Sequence, residues 1–254
     1  MWWKFEESSG SMVSDSESSR SGIMLDSERR ETAAVLVSGG IDSAVLCVHL
    51  LRTFGRVEPV YVRFGLRWES VELAILRRFL HQVRRPGLGP LKVIDEPVAD
   101  VYGTHWSLEG PMVPGADSPD EAVHLPGRNL LLIAKPALWC RLRGISTLAL
   151  GILESNPFED SRHDYFESLE RVLDEKVGSP IKLIRPFAKF SKIDVIRLGN
   201  DLPLRETWSC LSPVERSQCG GCNKCAERRR AFRDAGMEDP TIYAQPQTSH
   251  HREF

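Results

Sequence analysis

Long apolar runs are missing from this chain of 254 residues. The run from Leu130 to Ala134 ends at Lys135, and nowhere do about 18 apolar residues follow one another, which excludes a membrane-spanning helix. The Ser-rich N-terminus has no apolar segment of the kind a secretory signal needs, so none is expected. An excess of charge of one sign is missing too, since 33 basic side chains stand against 35 acidic ones. That balance argues against coating nucleic acid by bulk electrostatics. Cysteine is sparse and uneven. Cys47 and Cys140 sit alone in apolar runs, while Cys210, Cys219, Cys222 and Cys225 crowd together. A reducing, cytoplasmic setting is expected, where clustered cysteines suggest metal before disulfides.

Residues 1–32 differ from the rest, with nine Ser and eleven charged side chains. Such a segment cannot bury enough surface to order itself and reads as a disordered tail or an appended tag. The aromatics Trp2, Trp3 and Phe5 leave open a docking peptide instead. Residues 33–205 read as one α/β domain, 206–243 as a small cysteine-bearing subdomain and 244–254 as a tail. Within the domain, strands are expected at 33–37, 57–64, 91–94, 147–152 and 181–184. Helices are expected at 43–54, 69–83, 128–143, 166–176 and 192–198, with a long Pro- and Gly-rich loop at 97–127. Strand and helix alternate, which predicts right-handed crossovers and a doubly wound parallel sheet, Rossmann-like, with helices on both faces. In such sheets ligands bind at the carboxyl ends of the strands.

The string Ser38-Gly39-Gly40-Ile41-Asp42-Ser43 follows the first strand and opens the first helix. Two glycines permit a tight turn, and the free N–H groups of a helix start favour an anion. Asp42 beside phosphate makes sense with a divalent cation between them. The Walker pattern is missing, as is Gly-x-Gly-x-x-Gly at this strand. A bare Gly-Gly turn with Asp42 capping the helix is the structural alternative. The whole string resembles the PP-loop of the ATP pyrophosphatase (HUP-type) superfamily, whose members split ATP into AMP and pyrophosphate.

Cys210-x8-Cys219-x2-Cys222-x2-Cys225 has metal-ligand spacing. Four thiolates with no open position suit tetrahedral structural zinc. An iron–sulfur cluster remains an alternative, and a redox pair does not explain four cysteines. Cys47 and Cys140 read as small buried hydrophobes. Arg228-Arg229-Arg230 with Arg233 reads as a solvated helix face, with phosphate contact as the alternative. His124 and His163 fall in loops, where a lone His is usually solvated.

Loop and knuckle together give the chain, from about Ala33 to Tyr243, a resemblance to the QueC (ExsB) family of 7-cyano-7-deazaguanine synthases. Leu125-Pro126-Gly127-Arg128-Asn129 is similar to that family's Val-Pro-Gly-Arg-Asn, and Gly151-Ile152-Leu153-Glu154 to its Gly-Val-x-Glu. Lys192 lies six residues after Pro186, as the family's Lys does. The resemblance implies a ligase that adenylates 7-carboxy-7-deazaguanine with ATP and Mg2+ and converts it with ammonia to the nitrile. It implies structural Zn2+ and a homodimer. Asp42, Lys192 and Arg128 would then be catalytic, and Val37, Ser38, Gly39, Gly40, Ile41, Asp42, Ser43, Phe64, Arg128, Asn129, Gly151 and Glu154 would line the nucleotide and substrate site. Helix capping is the other reading of Arg128 and Asn129, and solvation that of Glu154.

The chain departs from the family in two places. Where the family has Asp-Tyr-Gly-Gln-Arg-His, this chain has Arg63-Phe64-Gly65-Leu66-Arg67-Trp68, so that Phe64, Leu66 and Trp68 are expected to pack. The stretch after Glu154, Ser155 to Arg162, also differs and is shorter. These departures open a second reading, in which the activated acid passes to another amine, such as that of a protein. A tRNA-modifying PP-loop enzyme and a silent zinc-binding module are more distant alternatives.

Overall fold

The structure is a computed structural model that describes residues 31–174 and 180–244. The expected N-terminal tail falls outside these residues but for its last two, and so does the C-terminal one but for Ala244. Strand β1 (Thr32–Leu36) is followed by helix α1 (Ile41–Leu50), β2 (Arg56–Arg63), α2 (Glu69–Gln82) and β3 (Lys92–Asp95). Then come α3 (Ala99–Tyr102), α4 (Arg128–Arg141), β4 (Thr147–Ala149), α5 (His163–Leu173), β5 (Lys182–Ile184), α6 (Lys192–Leu198) and α7 (Asn223–Asp234). All pairings are parallel, in the order β3-β2-β1-β4-β5.

The period-two alternation of β1 explains the layers. Ala34 and Leu36 join Ile133, Ala137, Phe166 and Leu169 of α4 and α5 on one face. Val35 and Val37 join Val45, Leu46, Val195 and Phe232 of α1, α6 and α7 on the other. Both faces are apolar because both are covered, as parallel sheets require. The chain winds outward from β1 through β2 to β3, then returns to β4 on the opposite side of β1. The crevice opened by that reversal lies at the carboxyl ends of β1 and β4.

The local differences from expectation have simple causes. Helix α1 starts at Ile41, two residues early, because the glycine pair already completes the turn. β4 ends at Ala149, and residues 150–152 run on as irregular chain beside the phosphate loop. The long loop contains α3 and a 3-10 turn at Asp120–Val123. The buried groups of α7 include Arg228, at 2 % exposure. Its guanidinium donates to Asp239 (3.2 Å), Thr207 Oγ1 (2.8 Å) and the Leu204 carbonyl (2.9 Å). The basic run is therefore not one solvated face: Arg230 is exposed, while Arg228 is an internal cation tying α7 to 204–207.

Candidate active site and cysteine knuckle

The phosphate loop begins where β1 ends. Gly39 has φ +75°, and a Cβ there would meet Glu72 Cγ at 3.1 Å, so glycine is required. Ser43 Oγ accepts from the Ser38 N–H (3.0 Å) and lies 3.2 Å from both Ser38 Oγ and the Gly40 carbonyl, to which it donates. Helix α1 has no side-chain cap: Gly40 stands at the N-cap, and the first helical hydrogen bond is Ala44 N–H to Gly40 carbonyl. The N–H groups of Ile41, Asp42 and Ser43 thus lack helical acceptors at the positive end of the helix dipole, the electrostatics an anion needs. Asp42 does not cap the helix. Its Oδ2 accepts from Lys192 Nζ at 2.6 Å, and its Oδ1 is buried without a partner.

One cavity opens on the β2 side of this loop. Its walls include Leu36, Val60, Phe64, Leu66 and Leu150, and its polar groups include Ser38, Ser43, Tyr61, Glu69, Glu72, Arg128, Asn129 and Asn156. Glu72 accepts from Tyr61 Oη at 2.6 Å. Burial pushes its carboxyl up to about 8, against the opposing pull of the Tyr61 hydrogen bond and the Arg128 charge. A carboxyl beside the phosphate loop is therefore mainly neutral at pH 7. Glu69 accepts from the N–H groups of Phe64 (2.6 Å) and Gly65 (2.8 Å), shaping the turn from β2 into α2, and burial raises its pKa too. Arg128 enters the cavity from the start of α4 with Nε buried and unpartnered, which suits an incoming anion. Neither Arg128 nor Asn129 caps α4, whose N-cap is Gly127. Asn129 Nδ2 instead donates to the Asp160 carbonyl at 3.0 Å.

A second, polar cavity lies beyond Gly151, lined by Asp42, Ser191, Lys192, Lys224, Glu227 and Arg230, among others. Gly151 and Asn156 border both cavities. A Cβ on Gly151 would lie 3.2 Å from Asp42 C and Ser43 N, so the wall between the cavities rests on the loop backbone. Lys192 opens α6 just after Ser191, which forms a capping box with Asp194. Burial works against the Lys192 charge, but the Asp42 and Glu227 carboxylates outweigh it and raise its pKa. Glu227 is likewise penalised by burial, yet Lys192 and Lys224 bring its pKa below the ordinary value.

The four clustered cysteines are buried, with sulfur atoms all within 4.8 Å of one another. Backbone N–H groups of Leu211, Ser212, Cys219 and Gly221 point at three of the sulfurs from 3.2–3.4 Å. The mutual proximity of the four thiols pulls the pKa values of Cys219 and Cys222 down and pushes those of Cys210 and Cys225 up. An all-sulfur, closed set of donors with amides aimed at it could hold a soft metal ion. The knuckle also reaches the site. The Trp208 N–H donates to the Gly39 carbonyl at 2.7 Å, and Asn223 binds Pro114 and Ser118 of the long loop at 3.0 and 2.7 Å.

The fold thus brings Val37, Ser38, Ser43, Phe64, Arg128, Asn129 and Gly151 around the first cavity, and Asp42 and Lys192 around the second. Phe64, Leu66 and Trp68 are buried, Phe64 and Leu66 lining the first cavity and Trp68 stacking on Trp106. Glu154 is exposed and borders neither. His124 is exposed and stacks on Phe158, while exposed His163 meets Arg185 and Glu167. Tyr61, Glu72, Lys224 and Glu227 escaped sequence reasoning. A carboxyl one helical turn before buried Leu76 was a usable signal for Glu72. The α7 pair, hidden among the cysteines, had none.

A family model described as "Queuosine biosynthesis protein QueC" matches residues 32–236. The 7-cyano-7-deazaguanine synthase of Acidobacterium capsulatum is 32% identical over 231 residues, 85% of this chain and 98% of that protein. That of Anaeromyxobacter sp. is 29% identical over 84% of this chain and 96% of the relative. Among solved structures, a predicted subunit of a tRNA methyltransferase from Methanocaldococcus jannaschii aligns over 86% of this chain and 94% of its own, with 19% identity and a TM-score of 0.48.

Proposed function

The chain belongs to the QueC family of queuosine biosynthesis proteins, and on that premise we propose that it makes a deazapurine nitrile at the expense of ATP. The substrate is 7-carboxy-7-deazaguanine. Its carboxylate attacks the α-phosphorus of ATP and expels pyrophosphate. Ammonia attacks the acyl carbon, AMP leaves and one proton is lost, giving the amide. A second ATP activates the amide oxygen in the same way, and loss of AMP and of both amide N–H protons leaves 7-cyano-7-deazaguanine.

The observation that carries this reading is the uncapped start of α1, with its loop serines, between two cavities. The loop N–H groups hold the phosphate tail, and Lys192 offsets its charge. Arg128 orients the carboxylate at the mouth of the first cavity. The orphaned Oδ1 of Asp42 fits magnesium, which Asp42 would hold and which would shield phosphate charge. The cysteine set fits zinc, held by Cys210, Cys219, Cys222 and Cys225 as a folding staple.

A second acceptor is favoured by one feature. The apolar side chains of Phe64 and Leu66 line the cavity where the resemblance leads one to expect hydrogen-bonding groups, and such swaps change which ligand a site accepts. Incubation with ATP, magnesium, ammonium and 7-carboxy-7-deazaguanine, followed by mass spectrometry, tests both readings. Nitrile supports the first. AMP and pyrophosphate without amide or nitrile support transfer to a larger amine, and no acid-dependent ATP cleavage rejects both.

A further inference from the structure

Helix α7 leaves the knuckle through Cys222 and Cys225 and then crosses the polar cavity. Two of its side chains form a chain of charge there. Lys224 Nζ lies 2.5 Å from Glu227 Oε2, Lys192 Nζ lies 3.6 Å from Glu227 Oε1, and Lys192 Nζ lies 2.6 Å from Asp42 Oδ2. All four side chains are only partly exposed, at 24–31 %, and all four line the cavity. In this arrangement both lysines are already paired. An anion entering the cavity must therefore compete with Glu227 for Lys224, and with Asp42 and Glu227 together for Lys192, and when it leaves, Glu227 re-forms its pairs with both lysines.

Resting on the pyrophosphate-forming reading above, we propose that Lys224 is a second pyrophosphate-binding cation and that Glu227 is an internal rival anion that speeds pyrophosphate release. The physical logic is differential binding. Lysines left bare by a departing polyanion would hold it tightly, whereas an exchange partner built into the wall re-forms two ion pairs as the product goes. Glu227 touches lysines and not the reacting atoms, so it is a positioning residue.

The two roles predict opposite signs. Titration calorimetry of the metal-loaded full chain with magnesium pyrophosphate is expected to show K224A binding about tenfold more weakly or worse, the scale of one lost charge-assisted contact. E227Q is expected to bind several-fold more tightly, with lower KM for ATP, lower kcat and stronger product inhibition by pyrophosphate. A merely structural Glu227 would weaken binding on substitution, so weaker or unchanged binding by E227Q overturns the rival-anion role. Unchanged binding by K224A overturns the second cation. Wild-type protein that binds pyrophosphate yet never cleaves ATP with the deazaguanine acid refutes the proposed substrate while leaving this inference standing. Wild-type protein that binds no pyrophosphate refutes the phosphate-loop reading and this inference together.

Discussion

The two cavities that meet at Gly151 use opposite means to manage charge. On the β2 side two carboxyls, Glu69 and Glu72, have their pKa values raised by burial, Glu72 to about 8, among many apolar walls. On the α6–α7 side, carboxylates and ammoniums face one another at short range, which favours the charged forms of Lys192 and Glu227. The proposed reaction, which brings a flat, acid-bearing ring and a polyphosphate to one point, would gain from this division. Low polarity on one side would strengthen the few charged contacts there, and exchangeable ion pairs on the other would let a polyanion come and go.

Asp42→Ala should damage this arrangement most. It removes the orphaned oxygen and the Lys192 partner together, and acid-dependent pyrophosphate release is expected to fall about a hundredfold or more. Phosphate-release kinetics within tenfold of wild type would contradict the assignment. Cys222→Ser acts one step further out, on the anchor of α7. Structural metal contributes folding energy directly, so melting temperature and bound-metal stoichiometry should both drop sharply. A soluble variant with unchanged melting that lost only turnover would deny the knuckle its folding role.

Gly151→Ala tests the shared wall. A methyl group 3.2 Å from Asp42 C and Ser43 N must push on the loop, at a cost of about 1–3 kcal/mol, and should raise KM for ATP. Denaturant unfolding and steady-state kinetics read these separately. Glu72→Gln should have the smallest effect, visible mainly in pH profiles. The folded carboxyl titrates near 8 rather than near its ordinary 4.5. Its contribution to stability is therefore complete below pH 4.5 and is lost as the pH rises through 8. Above 8 the new charge beside Gly39 opposes phosphate, so KM for ATP should climb in the wild type. The glutamine variant should lack both trends, and parallel profiles would assign them to another group.

The parallel sheet was legible because apolar strands and helices alternate, and the phosphate loop because six consecutive residues carry its whole geometry. The cysteine spacing was equally local. Arg228 shows the limit: three arginines in a row look alike on paper, yet one points inward to Asp239 and Thr207 while Arg230 meets water. Glu72, Lys224 and Glu227 were hidden for the same reason. Their roles depend on groups far off in sequence, namely Gly39 for Glu72 and Lys192 with Asp42 for the α7 pair.

Short-range regularities were decided by sequence alone: which segments bury both faces, where a glycine pair frees amides for an anion, and which thiols are close enough to share an ion. Each needs only backbone geometry and neighbouring residues. Tertiary structure alone decided the ionisation of Glu72, the orphaned atoms of Asp42 and Arg128, and the meeting of α7 with Lys192. Desolvation and Coulomb energies depend on distances through space, and those exist only once the helices have packed on the sheet.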